Sequence, residues 1–436
     1  MRTTLRRAGT AGAVLAVALA VVPATSASAS PPSAGVLSPH AVLIGGNLKE
    51  NSEILKSIVS LADPDGDGPA RARIAIVTAA ATAASNASDA ADPEQNNAAA
   101  NGLYYAALFE RFGADTYAVP IDTGANYPGD DYTPARAFDE QVAAQVAAST
   151  GVFFGGGDQM RYVRTLFTCA PADRDAFTDC ADTPVMAALR DVAARGVVSG
   201  VSAGLTIQQG ADMVTGGESY EAWRDGATAG YLDDERALGY LPYGGFGFVD
   251  GVLLDSHFTT WGREGRAAVL AQATGHDVVL GVDETTAVVL DRRTHKGRVI
   301  GVNGASILDV RDAVAVDGAL TGVRWSYATA GDTIVFGDDV TIQKAKGSVR
   351  IQPRAVSATP RSDVWDSLDG AGGAYTLRDL AREVVASASR TGQGTSFESM
   401  PQAVTSLTRD EGTAAWTTPA GAVSFSELRM DITPAP

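Results

Sequence analysis

Short apolar runs alternate in the first half of the chain with segments whose apolar residues recur at helical spacing. Each run is long enough for one buried strand, and together they occupy residues 41–44, 74–77, 115–120, 152–154 and 197–201. Between the first two runs, Ile54, Ile58 and Leu61 lie on one helical face, and residues 184–194 predict a helix with proline in its first turn. Strands that alternate with helices predict an α/β fold. We expect a three-layer sandwich around a mostly parallel sheet, with functional residues at the carboxyl ends of its strands.

The second half of the chain has a different pattern, in which strands follow one another closely. Residues 277–280, 286–290 and 298–302 predict strands, and a turn with a glycine joins the last two. These strands predict a β-rich C-terminal part, and the tail beyond about residue 353 predicts one helix at 376–386. This pattern leaves open whether the extension packs on the rest of the chain or folds alone. We therefore divide the chain into a leader, a main domain and a C-terminal extension, at 1–29, 38–350 and 351–436.

The leader has the pattern of a secretory signal peptide. Three arginines precede the apolar stretch 11–22, and the small residues Ala27-Ser28-Ala29 follow it as a cleavage site. The apolar stretch is too short to span a bilayer. We therefore expect an exported, extracellular protein that is not held in a membrane.

The net charge and the cysteine content indicate which partners and which redox compartment the protein has. The chain has a formal net charge of −17, which argues against nucleic acid and anionic membranes as partners. Its two cysteines, Cys169 and Cys180, are expected to pair as a disulfide in an oxidising compartment. Two cysteines and four histidines do not form a zinc pattern, so neither a metal nor a cofactor is predicted.

The most informative motif is Gly-x-Ser-x-Gly at residues 200–204, which ends a β-branched run and precedes a segment compatible with a helix. This is the pattern of a nucleophile elbow, in which Ser202 occupies a strained strand-to-helix turn. Side chains at Gly200 and Gly204 would collide with such a turn, and the N–H of Ala203 would face an oxyanion. The alternative is a glycine- and serine-rich loop that simply ends a strand.

A serine nucleophile requires a base and a carboxylate that orients the base. Of the four histidines, His257 directly follows an apolar run, which holds its ring better than the loops around His40, His276 and His295. A buried histidine bonded to a backbone carbonyl is the alternative interpretation. Spacing alone does not identify the carboxylate that orients the base, because carboxylates lie both between Ser202 and His257 and beyond them at 283–284.

Four segments resemble, in order and context, motifs of the cyanophycinases. They are Phe-Gly-Gly-Gly-Asp-Gln at 154–159, Gly-Val-Ser-Ala-Gly at 200–204, Asp-Ser-His-Phe at 255–258 and Gly-Val-Asp-Glu-Thr-Thr-Ala at 281–287. Cyanophycinases are serine peptidases related to aspartyl dipeptidases, with a fold similar to class I glutamine amidotransferases. The resemblance covers roughly residues 40–309, so the main domain would be a cyanophycinase-like catalytic domain.

The resemblance implies a role for each matching residue. The nucleophile, base and acid would be Ser202, His257 and Glu284, with Glu221 as the alternative acid. The oxyanion would be held by backbone N–H groups of Ala203, Gly156 and Gly157. Substrate would contact Gln159, Asp255, Arg263 and Arg266. Two simpler interpretations compete: Asp158-Gln159 as the start of a helix, and the two arginines as a solvated helix face.

The implied substrate is cyanophycin, a poly-aspartate with arginine on each side-chain carboxylate, cleaved to β-Asp-Arg dipeptides. The sequence departs from the family at Ser256 and Trp261, where glutamine and arginine are usual, so the substrate stays open. We therefore carry three hypotheses. They are a secreted cyanophycin exopeptidase, a secreted aspartyl or isoaspartyl dipeptidase, and a non-catalytic binding protein on the same fold. The family also implies a homodimer.

Overall fold

The computed structural model describes residues 39–63, 72–169, 177, 180–354 and 356–436. The leader at 1–29 lies outside the described residues. Within the described part, no helix combines the length and the apolar character that crossing a bilayer requires.

The described helices alternate with strands in the first half of the chain, and strands dominate the second half. The helices are α1 (Ser52–Ala62), α2 (Ala87–Ala91), α3 (Ala98–Glu110), α4 (Glu140–Ala147), α5 (Gln159–Leu166), α6 (Pro184–Arg195), α7 (Ala203–Thr206), α8 (Ser219–Asp225), α9 (Glu264–Thr274) and α10 (Thr376–Ala386). The strands are β1 (His40–Ile44), β2 (Arg73–Val77), β3 (Asp115–Val119), β4 (Gly151–Phe154), β5 (Phe167–Cys169), β6 (Cys180–Asp182), β7 (Val197–Val201), β8 (Met213–Gly216), β9 (Ala227–Ala229), β10 (Leu238–Leu241), β11 (Leu253–Asp255), β12 (Val278–Val282), β13 (Thr286–Asp291), β14 (Lys296–Gly301), β15 (Gly304–Asp309), β16 (Val314–Val316), β17 (Ala319–Thr329), β18 (Thr333–Val335), β19 (Thr341–Gln343), β20 (Val349–Arg350), β21 (Thr391–Thr395), β22 (Ala403–Thr408), β23 (Ala414–Thr417) and β24 (Val423–Pro434).

The main sheet joins nine of the described strands in the order β19-β18-β14-β13-β1-β7-β4-β2-β3. The strands from β3 to β1 pair in parallel, whereas β1 pairs antiparallel with β13, and the strands beyond it continue antiparallel. The predicted α/β class is thus confirmed, but the sheet is mixed rather than mostly parallel. A tight turn joins β13 to β14, and so short a connection permits only antiparallel pairing.

Alternate residues of the central strand β1 enter two different cores. Val42 and Ile44 pack with buried residues of α1 and α3, while Ala41 and Leu43 pack with buried residues of α4, α5 and α6. Each buried leucine or isoleucine side chain stabilises the fold by about 2 kcal/mol. Helices therefore cover both faces of β1. They leave its carboxyl end available for functional residues.

The second large sheet contains strands from both sides of residue 350. Its path is β11-β12-β15-β17-β24-β22-β21, and β24 pairs antiparallel with β17. One hydrophobic cluster includes Leu253 and Val279 of the main domain together with Leu380 and Val384 of α10. The predicted β-rich C-terminal part is thus confirmed, and the extension shares a sheet and a core with the strands that carry the site.

The predicted disulfide is also present. Cys169 and Cys180 are joined, and they face each other across the antiparallel pair β5 and β6.

Candidate active site

Ser202 lies at the carboxyl end of β7, between that strand and α7. Its φ is 57° and its ψ is −117°, a backbone conformation that costs free energy for any residue with a side chain. Its N–H donates to the carbonyl of Ile44, 3.0 Å away at the end of β1. Such strain is commonly stored where a side chain must be held in a functional position.

Close backbone contacts explain the two glycines of the motif. A Cβ on Gly200 would lie 2.1 Å from the carbonyl oxygen of Gly204, and a Cβ on Gly204 would lie 2.1 Å from that of Phe154. Neither contact is possible for a larger residue, because backbone atoms cannot move aside as a flexible side chain can. The spacing Gly-x-Ser-x-Gly is therefore required by the strand-to-helix turn itself.

A chain of two hydrogen bonds links Ser202, His257 and Glu284. His257 Nε2 lies 2.7 Å from Ser202 Oγ, and its Nδ1 lies 2.8 Å from Glu284 Oε1. The histidine follows β11 with a φ of 50°, and its N–H donates to the carbonyl of Gly45 at 2.8 Å. The imidazole is thereby held between a hydroxyl and a carboxylate, an arrangement that fixes both its orientation and its tautomer.

The end of β1 shapes the space that the histidine occupies. A Cβ on Gly46 would lie 2.3 Å from His257 Cε1, so the ring packs directly on this glycine. The next residue, Asn47, donates from Nδ2 to Glu284 Oε2 at 3.1 Å. The sequence analysis did not identify Gly46 and Asn47 as site residues, although their position just after the first predicted strand was a usable signal.

The electrostatic environment keeps the histidine neutral and the glutamate ionised near neutral pH. Burial lowers the pKa of His257 and Arg263 lowers it further, and together they outweigh the opposing effect of Glu284. The hydrogen bond from His257 lowers the pKa of Glu284, and the bond from Asn47 adds to this. A neutral imidazole bonded to a carboxylate is the form that accepts a proton from a serine.

The indole of Trp261 stacks on the imidazole of His257. The two rings are 4.0 Å apart between centroids and 10° from parallel. The guanidinium of Arg263 lies 4.5 Å from the centroid of the same indole. Trp261 therefore contacts both the proposed base and a cation. The sequence identified this residue only as a departure from the family pattern.

Asp255 is buried and forms ion pairs with two arginines. Arg266 makes a two-point contact with it at 2.8 and 2.7 Å, and Arg263 approaches the same carboxylate at 3.3 Å. Burial alone would raise the pKa of Asp255, but the two arginines outweigh this effect and lower it. Asp255 is not among the residues that line the cavity described next. Asp255 instead pairs with the two arginines that do line the cavity, and its predicted contact with substrate stays a prediction.

A cavity of about 390 Å³ opens beside Ser202 and His257. It brings together predicted residues and residues that the sequence did not suggest. Its lining comprises Gly157, Asp158, Gln159, Arg161, Ser202, Ala203, Thr206, Val214, Thr215, Gly216, Tyr231, Ser256, His257, Trp261, Arg263 and Arg266.

The start of α5 forms one wall of this cavity. Asp158 caps the helix by accepting from Met160 N and also accepts from the hydroxyl of Tyr231 at 2.8 Å. Gln159 donates to the carbonyl of Val214 at 2.8 Å. Asp158 thus has the capping role that we weighed from the sequence, while Gln159 lines the cavity with its amide already partly engaged. Arg161 and Tyr231 were missed because neither belongs to a motif.

The predicted oxyanion residues surround Ser202. A Cβ on Gly156 would lie 3.4 Å from the Cβ of Ser202, while Gly157 and Ala203 line the cavity itself. A Cβ on Gly157 would also lie 2.2 Å from the carbonyl oxygen of Ala80, so glycine is required there. The backbone approaches the serine closely from this side because the glycines have no side chains.

The alternative acid and the other histidines lie elsewhere. Glu221 is on α8, where its charged neighbours are Glu398, Arg224 and Arg236. His276 instead pairs with Asp212 at 3.1 Å. The described residues contain no group of three or more histidines, cysteines or carboxylates that would hold a metal ion.

A serine bonded to a histidine that is bonded to a carboxylate defines the class of Ser-His-acid hydrolase sites. No protein-family model matches the chain. It is 28% identical over 210 residues to the cyanophycinase of Trichormus variabilis, matching 48% of this chain and 58% of the relative. It is 29% identical over 180 residues to the cyanophycinase of Synechococcus elongatus, matching 41% of this chain and 47% of the relative. The chain thus spans about half the length of the curated relatives it matches.

Among solved structures, the chain is similar to a peptidase from an acI-B1 Actinobacterium, with 18% identity and a TM-score of 0.45 over 69% of this chain and 98% of the other. These matches support the resemblance inferred from the motifs: the chain is similar in sequence to curated cyanophycinases.

Proposed function

We propose that this protein is a serine exopeptidase that hydrolyses cyanophycin to β-Asp-Arg dipeptides. The observation that carries the proposal is the pair of hydrogen bonds that join His257 to Ser202 and to Glu284, 2.7 and 2.8 Å long. We interpret the turn at Ser202 as a nucleophile elbow in a three-layer sandwich, since the strained serine follows a central strand whose neighbour β1 packs on helices in two cores.

The reaction proceeds through an acyl-enzyme. His257 Nε2 takes the proton of Ser202 Oγ as this oxygen bonds to the scissile carbonyl carbon, and Glu284 stabilises the imidazolium. Backbone N–H groups of Ala203 and of Gly156 or Gly157 hold the oxyanion. The imidazolium gives its proton to the leaving amine, and water, deprotonated by the same histidine, then releases the acyl group.

Charges around the site support a substrate with both carboxylates and guanidinium groups. Arg161, Arg263 and Arg266 line the cavity beside Ser202 and suit carboxylates. A second cavity of about 320 Å³ shares Thr215, Gly216 and Tyr231 with the first and is lined by the carboxylates of residues 233–235. Two adjoining cavities of opposite charge match the aspartate and arginine parts of a cyanophycin unit.

An aspartyl or isoaspartyl dipeptidase is the second candidate. Trp261 is 44% exposed and, with Ser256, occupies the wall of the cavity beside the proposed base. A bulky indole at this position reduces the room for a continuing polymer. A dipeptidase would use the same three residues but would prefer short peptides. A binding protein without catalysis is disfavoured by the intact hydrogen-bond chain at Ser202.

The deciding experiment incubates insoluble cyanophycin with the wild-type protein and with Ser202→Ala, followed by product analysis. Release of β-Asp-Arg by the wild type alone is the expected result. A fluorophosphonate probe, which reacts only with an activated serine, runs in parallel. Labelling without release would favour the dipeptidase, and short α- and β-aspartyl peptides would then be assayed. If the wild type shows no labelling and no release, the hydrolase proposal is disproved.

We further propose that the protein is secreted. The leader pattern at 1–29 and the Cys169–Cys180 disulfide both suit an oxidising, extracellular compartment. Expression of the full chain in a secreting host should place the protein in the medium, with an N-terminus that begins after residue 29. Retention of the uncleaved chain in the cells would contradict this. The homodimer implied by the family stays a prediction, to be checked by light scattering.

A further inference from the structure

The C-terminal extension contacts the loop that carries His257 and Trp261. The N–H of Tyr375 donates to the carbonyl of Thr259 at 2.9 Å. A Cβ on Gly262 would lie 2.4 Å from the Cα of Trp365, which is itself only 2% exposed. The loop between β11 and α9 is therefore packed against the extension as well as against the main domain.

The extension also reaches the segment of the proposed acid through Asn303. The amide nitrogen of Asn303 donates to the carbonyl of Glu284 at 3.0 Å and lies 3.2 Å from the hydroxyl of Tyr375. Arg378 Nη1 donates to the amide oxygen of Asn303 at 3.2 Å. Because a guanidinium only donates, Arg378 determines which way the amide points, and the amide nitrogen then faces Glu284.

A buried carboxylate ties the two catalytic segments together beneath the site. Asp283, which is fully buried, accepts from the N–H and the hydroxyl of Thr259, each at 2.8 Å, and from the hydroxyl of Tyr327 at 2.7 Å. The charged partner of this carboxylate is Arg378, 3.6 Å away, with a side chain only 6% exposed. A buried carboxylate of this kind needs a nearby cation, and the extension supplies it.

We propose that Tyr375 and Arg378 are positioning residues of the active site, which hold His257 and Glu284 in register with Ser202. The inference rests on the proposed hydrolytic function. Arg378 acts through Asn303 on the Glu284 segment and through Asp283 on the Thr259 segment. Tyr375 acts directly on the Thr259 segment and through Asn303 on the Glu284 segment. The extension thereby belongs to the catalytic unit, although the motifs of the family end before it.

The mechanism makes a prediction that a purely structural role would not. If Glu284 shifts away from His257, the imidazole loses the hydrogen bond that raises its pKa, while burial and Arg263 continue to lower it. The acid limb of the pH–rate profile then moves to lower pH as the maximal rate falls. General destabilisation would lower the amount of active protein without moving that limb.

The test measures the rate of fluorophosphonate labelling of Ser202 against pH in the full-length protein, for Asn303→Ala, Arg378→Met and Arg378→Lys. Asn303→Ala removes the link without removing a charge, so it keeps the experiment decisive if Arg378→Met does not fold. We expect about 10- to 100-fold slower labelling for Asn303→Ala and Arg378→Met, the effect typical of a misplaced catalytic group, with partial recovery in Arg378→Lys.

The matched control is Arg361→Met. Arg361 also pairs with helix α10, but it does so through Glu383. Its labelling rate and pH profile should equal those of the wild type. Wild-type rates and profile in Asn303→Ala would overturn the inference, as would an equal loss in Arg361→Met. Absence of labelling in the wild type would instead overturn the proposed function.

Discussion

The indole of Trp261 lies flat on the imidazole of His257, with centroids 4.0 Å apart and ring planes 10° from parallel. On the same indole, the guanidinium of Arg263 lies 4.5 Å from the ring centroid. The two hydrogen bonds of the histidine lie in the plane of its ring, and the indole covers one face of that ring. Trp261 therefore affects both the orientation and the protonation of the proposed base.

Replacement of Trp261 by alanine should slow fluorophosphonate labelling by about 2- to 10-fold, because a stacked pair contributes roughly 0.5–1.5 kcal/mol. The acid limb of the pH–rate profile should move to higher pH, since burial is the largest cause that lowers the pKa of His257. Trp261→Phe keeps an aromatic face, so its labelling rate and pH–rate profile should be close to those of the wild type. An unchanged profile in Trp261→Ala would show that the stacking has no effect on the base.

The charge of Arg263 should set part of the pH dependence. This guanidinium lowers the pKa of His257, and the histidine must be neutral to accept a proton. Arg263→Gln should therefore shift the acid limb of the labelling profile to higher pH, so that the rate near pH 6 falls more than the rate near pH 8. The comparison variant is Arg161→Gln, another cation of the cavity wall; an equal shift there would argue against a specific effect of Arg263.

Gly46 should tolerate no side chain in an active enzyme. A Cβ there would lie 2.3 Å from His257 Cε1, so Gly46→Ala displaces the ring. A displacement near 1 Å costs about 100-fold in rate. Gly337→Ala is the control, because its Cβ would come no closer than 3.6 Å to another atom. The rate of β-Asp-Arg release from cyanophycin and the labelling rate should fall together in Gly46→Ala alone. Wild-type rates in this variant would contradict the packing described.

Glu264 should make stability depend on pH. It is fully buried, neither of its carboxylate oxygens has a hydrogen-bond partner, and burial raises its pKa from 4.5 to about 8. Asp283 and Asp255 add to the shift, and Arg378 opposes it. Between those two pH values the folded state binds more protons than the unfolded state. The free energy of unfolding should therefore decrease as pH rises from about 5 to 8.

The measurement is urea unfolding of the wild type and of Glu264→Gln at several pH values in that range. The glutamine variant cannot ionise, so its stability should depend less on pH, and the difference should amount to a few kcal/mol at most, since one pKa unit corresponds to about 1.4 kcal/mol. Parallel curves for the two proteins would disprove the role of Glu264. Labelling of Ser202 at pH 6 checks that the variant is folded.

The local patterns of the sequence were sufficient to predict the strands of the first half and to explain the glycine motif around Ser202. The apolar runs became β1, β2, β3, β4 and β7. The sequence predicts why Gly200 and Gly204 are glycines, because the collision of a side chain with an adjacent turn depends only on nearby backbone. The antiparallel half of the main sheet was not anticipated, because the pattern of a strand does not reveal the direction of its neighbour.

The sequence by itself determined the α/β class, the serine on its turn, the histidine at a strand end and the resemblance to cyanophycinases. Only the tertiary structure decided that Glu284 and not Glu221 faces His257, that Asp255 is paired with Arg266, and that the extension supports the site. The residues of the hydrogen-bond chain are 55 and 27 positions apart, so their meeting depends on how β7, β11 and β12 are placed. Propensity and spacing act over a few residues, whereas contacts between distant carboxylates and cations arise only once the sheets are assembled.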